Sequence, residues 1–82
     1  MYRLVKAISH DGTDKLEEIA TKHSLEGDLY WIPYTNYPFF FTYNDESGKM
    51  MRSSAVQETI IVDNQIKFRT LNSEYWFENM ED

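Results

Sequence analysis

Residues 55–70 constrain the fold more tightly than any other stretch of the chain. Ala55 to Val62 alternates and is rich in β-branched side chains, Asp63-Asn64 has turn chemistry, and Gln65 to Thr70 returns in the same alternation. A two-residue loop sets Ile61 opposite Ile66, Thr59 opposite Phe68 and Glu58 opposite Arg69. Each pairing is chemically consistent: apolar on apolar, β-branched on aromatic, acid on base.

Further strands flank this hairpin. Residues 2–9 read as one, with Tyr2, Leu4 and Ile8 on one face and Val5 and Ala7 on the other. Leu29 to Ile32 is a second, ended by Pro33, and residues 33–38 form a loop. Phe39 to Tyr43 makes a strand, Asn44 to Gly48 turns, and Lys49 to Ser53 returns. Asn72-Ser73 bends into a short last strand at Tyr75 to Phe77. One helix interrupts the pattern near residues 14–24. Asp14 can cap it, with Glu17 as reciprocal partner, and Leu16, Ile19, Ala20 and His23 share a stripe. Lys15, Glu18 and Lys22 are expected to face water, and Gly27 is expected to stop the helix. The order predicts an α+β domain over residues 1–78: a bent antiparallel sheet or small partly open barrel of about five to six strands. Residues 79–82 are expected to form a frayed acidic tail.

A chain of 82 residues has a small core, and without cysteine it has no disulfide or Cys-based metal site to reinforce it. Five Phe, six Tyr and two Trp must supply the bulk. Self-association is the other route to stability and stays open. The lack of cysteine and the charged, alternating start at Met1 to Lys6 point to the cytoplasm. The longest apolar run, Phe39 to Phe41, falls far short of the roughly 20 residues that span a membrane.

Fourteen acids against eight bases give a net charge of −6. Residues 70–82 carry Glu74, Glu78, Glu81 and Asp82 with no base, so this stretch contributes −4 of the −6 and the rest of the domain is nearly balanced. No basic cluster offers itself to phosphates, which argues against direct nucleic-acid binding.

The segment from Arg52-Ser53-Ser54-Ala55-Val56 to Thr70-Leu71-Asn72-Ser73-Glu74-Tyr75 resembles small uncharacterised proteins of Gram-positive bacteria and their phages. Those proteins carry an S-S-x-V element, a hairpin, and T-x-N-S-x-Y near the end. The resemblance implies a phage- or mobile-element-related accessory protein and carries no catalytic residue onto this chain. Read physically, Asn72 and Ser73 fix a turn, and Tyr75 and Phe77 pack on one face.

Signals for enzymatic chemistry are sparse. No Ser lies in a nucleophile elbow, and Gly12, Gly27 and Gly48 stand too far apart for a phosphate loop. His23 fits the helical stripe, and His10 with Asp11 and Asp14 matches no defined metal site. The expectation is a protein that is not an enzyme, with no cofactor and no metal. Tyr30 to Tyr43 is different: eight of its fourteen residues are aromatic. Alternation can bury only half of them, so Tyr34, Tyr37, Phe40 and Trp31 are the candidate contact residues. A protein-interaction module is the leading reading. An acidic nucleic-acid-mimicking inhibitor of a DNA-handling enzyme and a small-ligand binder with an aromatic pocket are the alternatives.

Overall fold

A computed structural model of the chain describes residues 1–80. Its elements are β1 (Tyr2–Ser9), α1 (Leu16–Lys22), β2 (Glu26–Tyr30), β3 (Phe40–Tyr43), β4 (Met50–Arg52), β5 (Val56–Val62), β6 (Gln65–Thr70) and β7 (Ser73–Asn79). The strands form one antiparallel sheet in the order β4-β3-β2-β1-β7-β6-β5. There are seven strands rather than the five to six expected from the sequence, and the sheet does not close into a barrel. β4 and β5 remain its edges, and the 36–37 loop meets the start of β5. There the Asn36 N–H donates to the Val56 carbonyl at 2.8 Å and the Val56 N–H to that of Tyr37 at 2.9 Å.

The hairpin of β5 and β6 has the expected register: Glu58 faces Arg69, Thr59 faces Phe68 and Ile61 faces Ile66. One face of the sheet is the core. Phe39 lies at its centre, fully buried, stacked on Phe68 at 4.7 Å and edge-on to Tyr75 and Phe77 at 5.1 and 5.4 Å. Phe39 leads into β3 while Phe68 and Phe77 lie on β6 and β7. The aromatic cluster therefore holds the two halves of a bent sheet against each other.

Four local expectations need correction. In β1 the pairing with β7 slips between Leu4 and Lys6, so Val5 is the extra residue of a β-bulge. The slip puts Leu4 and Ala7 on the same buried face, whereas strict alternation had separated them. Gly27 does not end the helix; it lies in β2, paired with Tyr2 and Tyr43. The helix is shorter than expected. Lys15, not Asp14, holds the N-cap position and makes no side-chain cap bond. Asp14, one residue earlier, accepts the Leu16 N–H at 2.9 Å, and the helix ends at His23, whose backbone is extended. Lys15 does not simply face water. Its ammonium donates to the Ser73 hydroxyl at 2.9 Å and the Tyr75 hydroxyl at 3.0 Å, which pins the start of α1 to β7.

Of residues 79–82, expected to form a tail, Asn79 and Met80 are held in place. β7 runs to Asn79, and the Met80 N–H donates to the Met1 carbonyl at 3.0 Å. Glu81 and Asp82 lie outside the described residues. Among the described residues no helix is long and apolar enough to cross a membrane.

The segments 53–56 and 70–75 are part of this framework. The Ser53 hydroxyl accepts the Phe39 N–H at 2.9 Å, and the Ser54 hydroxyl accepts the Asn72 N–H at 3.2 Å. The turn into β7 is fixed by Thr70 rather than by Asn72: its buried hydroxyl accepts the Ser73 N–H and donates to the Ser73 carbonyl, at 3.1 and 3.0 Å. Tyr75 and Phe77 share the buried face.

Candidate functional site

Pairing of β2 with β3 decides which rings leave the core. Leu29 faces Phe41 and Tyr30 faces Phe40 across the ladder. Alternation turns the first pair inward and the second outward. Phe39 and Phe41 are fully buried, Phe40 is half-buried, and Tyr30 and Tyr37 are exposed. Tyr30, Trp31, Ile32, Tyr37, Pro38 and Phe40 line an open, apolar concavity of about 430 Å³.

Three of the four residues singled out from the sequence, Trp31, Tyr37 and Phe40, thus come together. Tyr34 does not line the concavity; it projects from the same loop with 70% of its surface exposed. Tyr30, Ile32 and Pro38 were missed. Tyr30 could be found only through its pairing with Phe40, and the long connection between β2 and β3 hides that register from the sequence. A base stands beside the rim. β4 sets Arg52 opposite Phe40, and its guanidinium lies 5.9 Å from the ring centre.

The loop that carries Tyr37 is fastened on both sides. Asn36 takes a left-handed φ of 71°, which asparagine tolerates better than most residues. Beyond the two backbone bonds to Val56, the Gln57 amide donates to the Asn36 side-chain oxygen at 3.2 Å. The Ser53 N–H donates to the Phe39 carbonyl at 3.1 Å. Trp31 is the wall between concavity and core, edge-on to Tyr2 at 6.5 Å and Phe68 at 5.9 Å. It also borders a smaller cavity of about 160 Å³ beside the Asp63-Asn64 turn.

His23 lies elsewhere, stacked flat on Tyr43 with ring centres 4.1 Å apart. Its Nδ1 is 3.4 Å from both the Asp45 carboxylate and the Ser47 hydroxyl. A hydrolytic triad needs serine on one ring nitrogen and the acid on the other. Here both meet the same nitrogen, and the Ser47 hydroxyl donates to Asp45 itself. The arrangement braces the 44–48 turn against the end of α1. Burial raises the Tyr43 phenol above its ordinary value, with Tyr75 and Asp45 adding to the effect.

Asp45 is the most heavily used carboxylate of this brace. Hydrogen bonds from the Ser47 hydroxyl and the Ser24 and Ser47 N–H groups lower its pKa from 3.8 to about 2. The folded state thus favours the charged form, so this contribution is complete above about pH 4 and lost as the pH falls towards 2. Asp45→Asn should lower the urea midpoint most above pH 4. The gap to the wild type should narrow on acidification, read from unfolding curves between pH 6 and pH 2. A constant gap would assign the effect to the lost turn geometry alone.

The acids beside His10 are spent in the same way. Asp11 accepts the Ser9 hydroxyl and the Thr13 N–H, which lowers its pKa to about 2, and Asp14 serves the helix. Among the described residues no three His, Asp or Glu side chains gather into a metal-binding group. Comparison with protein-family models, curated proteins and solved structures finds no match to the chain.

Proposed function

We propose that the protein is a non-enzymatic interaction module of the cytoplasm that holds a protein partner by its apolar side chains in the Tyr30–Phe40 concavity. One observation carries this reading: exposed apolar rings stand on backbone that is hydrogen-bonded on either side. Tyr37 lies between Asn36 and Phe39, both tied to neighbouring segments, so its ring is displayed from a fixed base. Preorganised aromatic side chains are the usual anchors of protein interfaces, because little freedom is lost when they are covered.

The shape favours a protein over a small ligand. Sites for small molecules enclose most of the ligand and aim a few polar groups at it. This concavity is open, and the tyrosine hydroxyls and the Trp31 indole N–H are the polar side-chain groups in its lining. Exposed Ile32 and Tyr34 extend the apolar surface along the same connection. The nucleic-acid-mimic reading has less support, since Glu74 is bound to Lys67 at 2.9 Å and Glu58 to Arg69 at 3.7 Å. Those carboxylates are partly neutralised where they stand. The C-terminal resemblance adds a phage or mobile-element setting to the proposal.

Selection of binders from a random peptide library tests it. The recovered peptides should carry apolar or aromatic anchors. Tyr37→Ala with Phe40→Ala should weaken them about tenfold or more, equivalent to at least about 1.4 kcal/mol. The thermal midpoint of that variant should move little. Equal binding by the variant, or stabilisation of the protein by small planar compounds in place of peptides, would overturn the reading.

A further inference from the structure

The two edges of the sheet are built differently. β4 has three residues, follows Lys49 and carries Arg52, a short charged edge that discourages strand addition. β5 has seven residues, without proline or lysine, and displays Ile60, Ile61 and Val62 in succession at 40%, 62% and 58% exposure. Its one acid, Glu58, is already paired with Arg69. Among the described residues the 36–37 loop covers the edge at Val56 and Gln57. Among the described residues nothing pairs with the outer side of β5 from Glu58 to Val62.

The turn determines which backbone groups are left over. A two-residue loop makes Val62 and Gln65 a mutually hydrogen-bonded pair, so in alternation Ile60 and Glu58 also direct their N–H and C=O groups at β6. Thr59 and Ile61 direct theirs outward.

We propose that a second copy of this chain adds its own β5 to that edge, antiparallel, about a two-fold axis at Ile60. In this register Thr59 and the partner's Ile61 exchange backbone hydrogen bonds, and the symmetric pair repeats the exchange. Ile60 packs on the partner's Ile60, and Glu58 lies opposite the partner's Val62, so no like charges meet. The neighbouring registers are worse. Centring on Thr59 opposes Ile61 to Gln57, which lies at a bulge and beneath the 36–37 loop. Centring on Ile61 opposes Thr59 to Asp63, inside the turn and at a φ of 53°. The Ile60-centred pairing joins two sheets into one and covers the apolar end of the hairpin in both copies.

Sedimentation velocity from about 1 μM to 1 mM tests this. The wild type should move towards twice the 9.8 kDa chain mass as concentration rises. Ile60→Lys and Ile60→Glu should each raise the midpoint concentration at least about tenfold, and an equimolar mixture of the two should recover dimers, because opposite charges then meet at the axis. Tyr37→Ala should dimerise like the wild type. If the Ile60 variants fail to fold by circular dichroism, Thr59→Pro carries the test, since it removes an outward N–H from an edge position where proline is tolerated. A wild type that stays monomeric throughout overturns the proposal. So do Ile60 variants that dimerise normally, a mixture no better than its components, or loss of the dimer in Tyr37→Ala.

Discussion

Phe39→Ala should cost about 3–5 kcal/mol, the range for deleting a buried phenyl ring. A domain of this length is stable by only about 4–12 kcal/mol, so the variant should lose from roughly a quarter to all of that stability. The size of the effect follows from position. Phe39 is fully buried and touches Phe68, Tyr75 and Phe77, which belong to the opposite half of the bent sheet. Its removal leaves a cavity where the two halves meet, and neither half can close it alone. Urea unfolding should show a lower midpoint, and near-ultraviolet circular dichroism should lose aromatic signal. Tyr34→Ala is the matched control, an exposed ring expected to stay within about 0.5 kcal/mol of the wild type. If the two variants behave alike, the inner cluster is not what holds the halves together.

Gly27→Ala should be nearly as damaging, although it adds a single methyl group. A Cβ at position 27 would stand 2.1 Å from the Thr42 carbonyl oxygen and 3.1 Å from the edge of the Phe41 ring. The oxygen is backbone within β3 and cannot swing aside as a side chain would. Relief requires β2 and β3 to separate where β2 also pairs with Tyr2 of β1. A cost of about 3 kcal/mol is expected, at the upper end for overpacking. In a domain of this size that lowers the melting temperature by roughly 12–24 °C. A calorimetric scan that finds less than a 5 °C drop would mean that the strands separate at little cost, by about 1 kcal/mol.

These two positions show where the sequence was readable. Phe39 and Phe41 could be separated from Phe40 by alternation alone, because a strand offers its faces strictly in turn. The β5–β6 register was legible because a two-residue turn leaves little freedom in how its strands align. Gly27 was misread as a helix stop. A glycine a few residues past a helical stripe is ordinary there, and the close approach that requires it comes from β3, more than ten residues away. The bulge at Val5 leaves no compositional trace, so the inward positions of β1 could not be read beyond Leu4. Lys15 looked solvated because its partners, Ser73 and Tyr75, belong to the last strand. The aromatic site was visible as an excess of rings over places to bury them. Its outline was not, since Tyr30 joins it only through the β2–β3 ladder.

The position of β1 in the sheet has a bearing on time. It lies between β2 and β7, so one of its two neighbours follows soon after it and the other is the last strand to be made. During synthesis, at about 5–20 residues per second, β1 must wait several seconds for β7 with one side open. The β5–β6 hairpin can form locally in microseconds, yet among the described strands it joins the ladder of the sheet through β7. Closure of the core is thus a late, long-range event. A chain of this topology belongs among the slower folders of its size, and its nascent form is most exposed to aggregation just before the last strand docks.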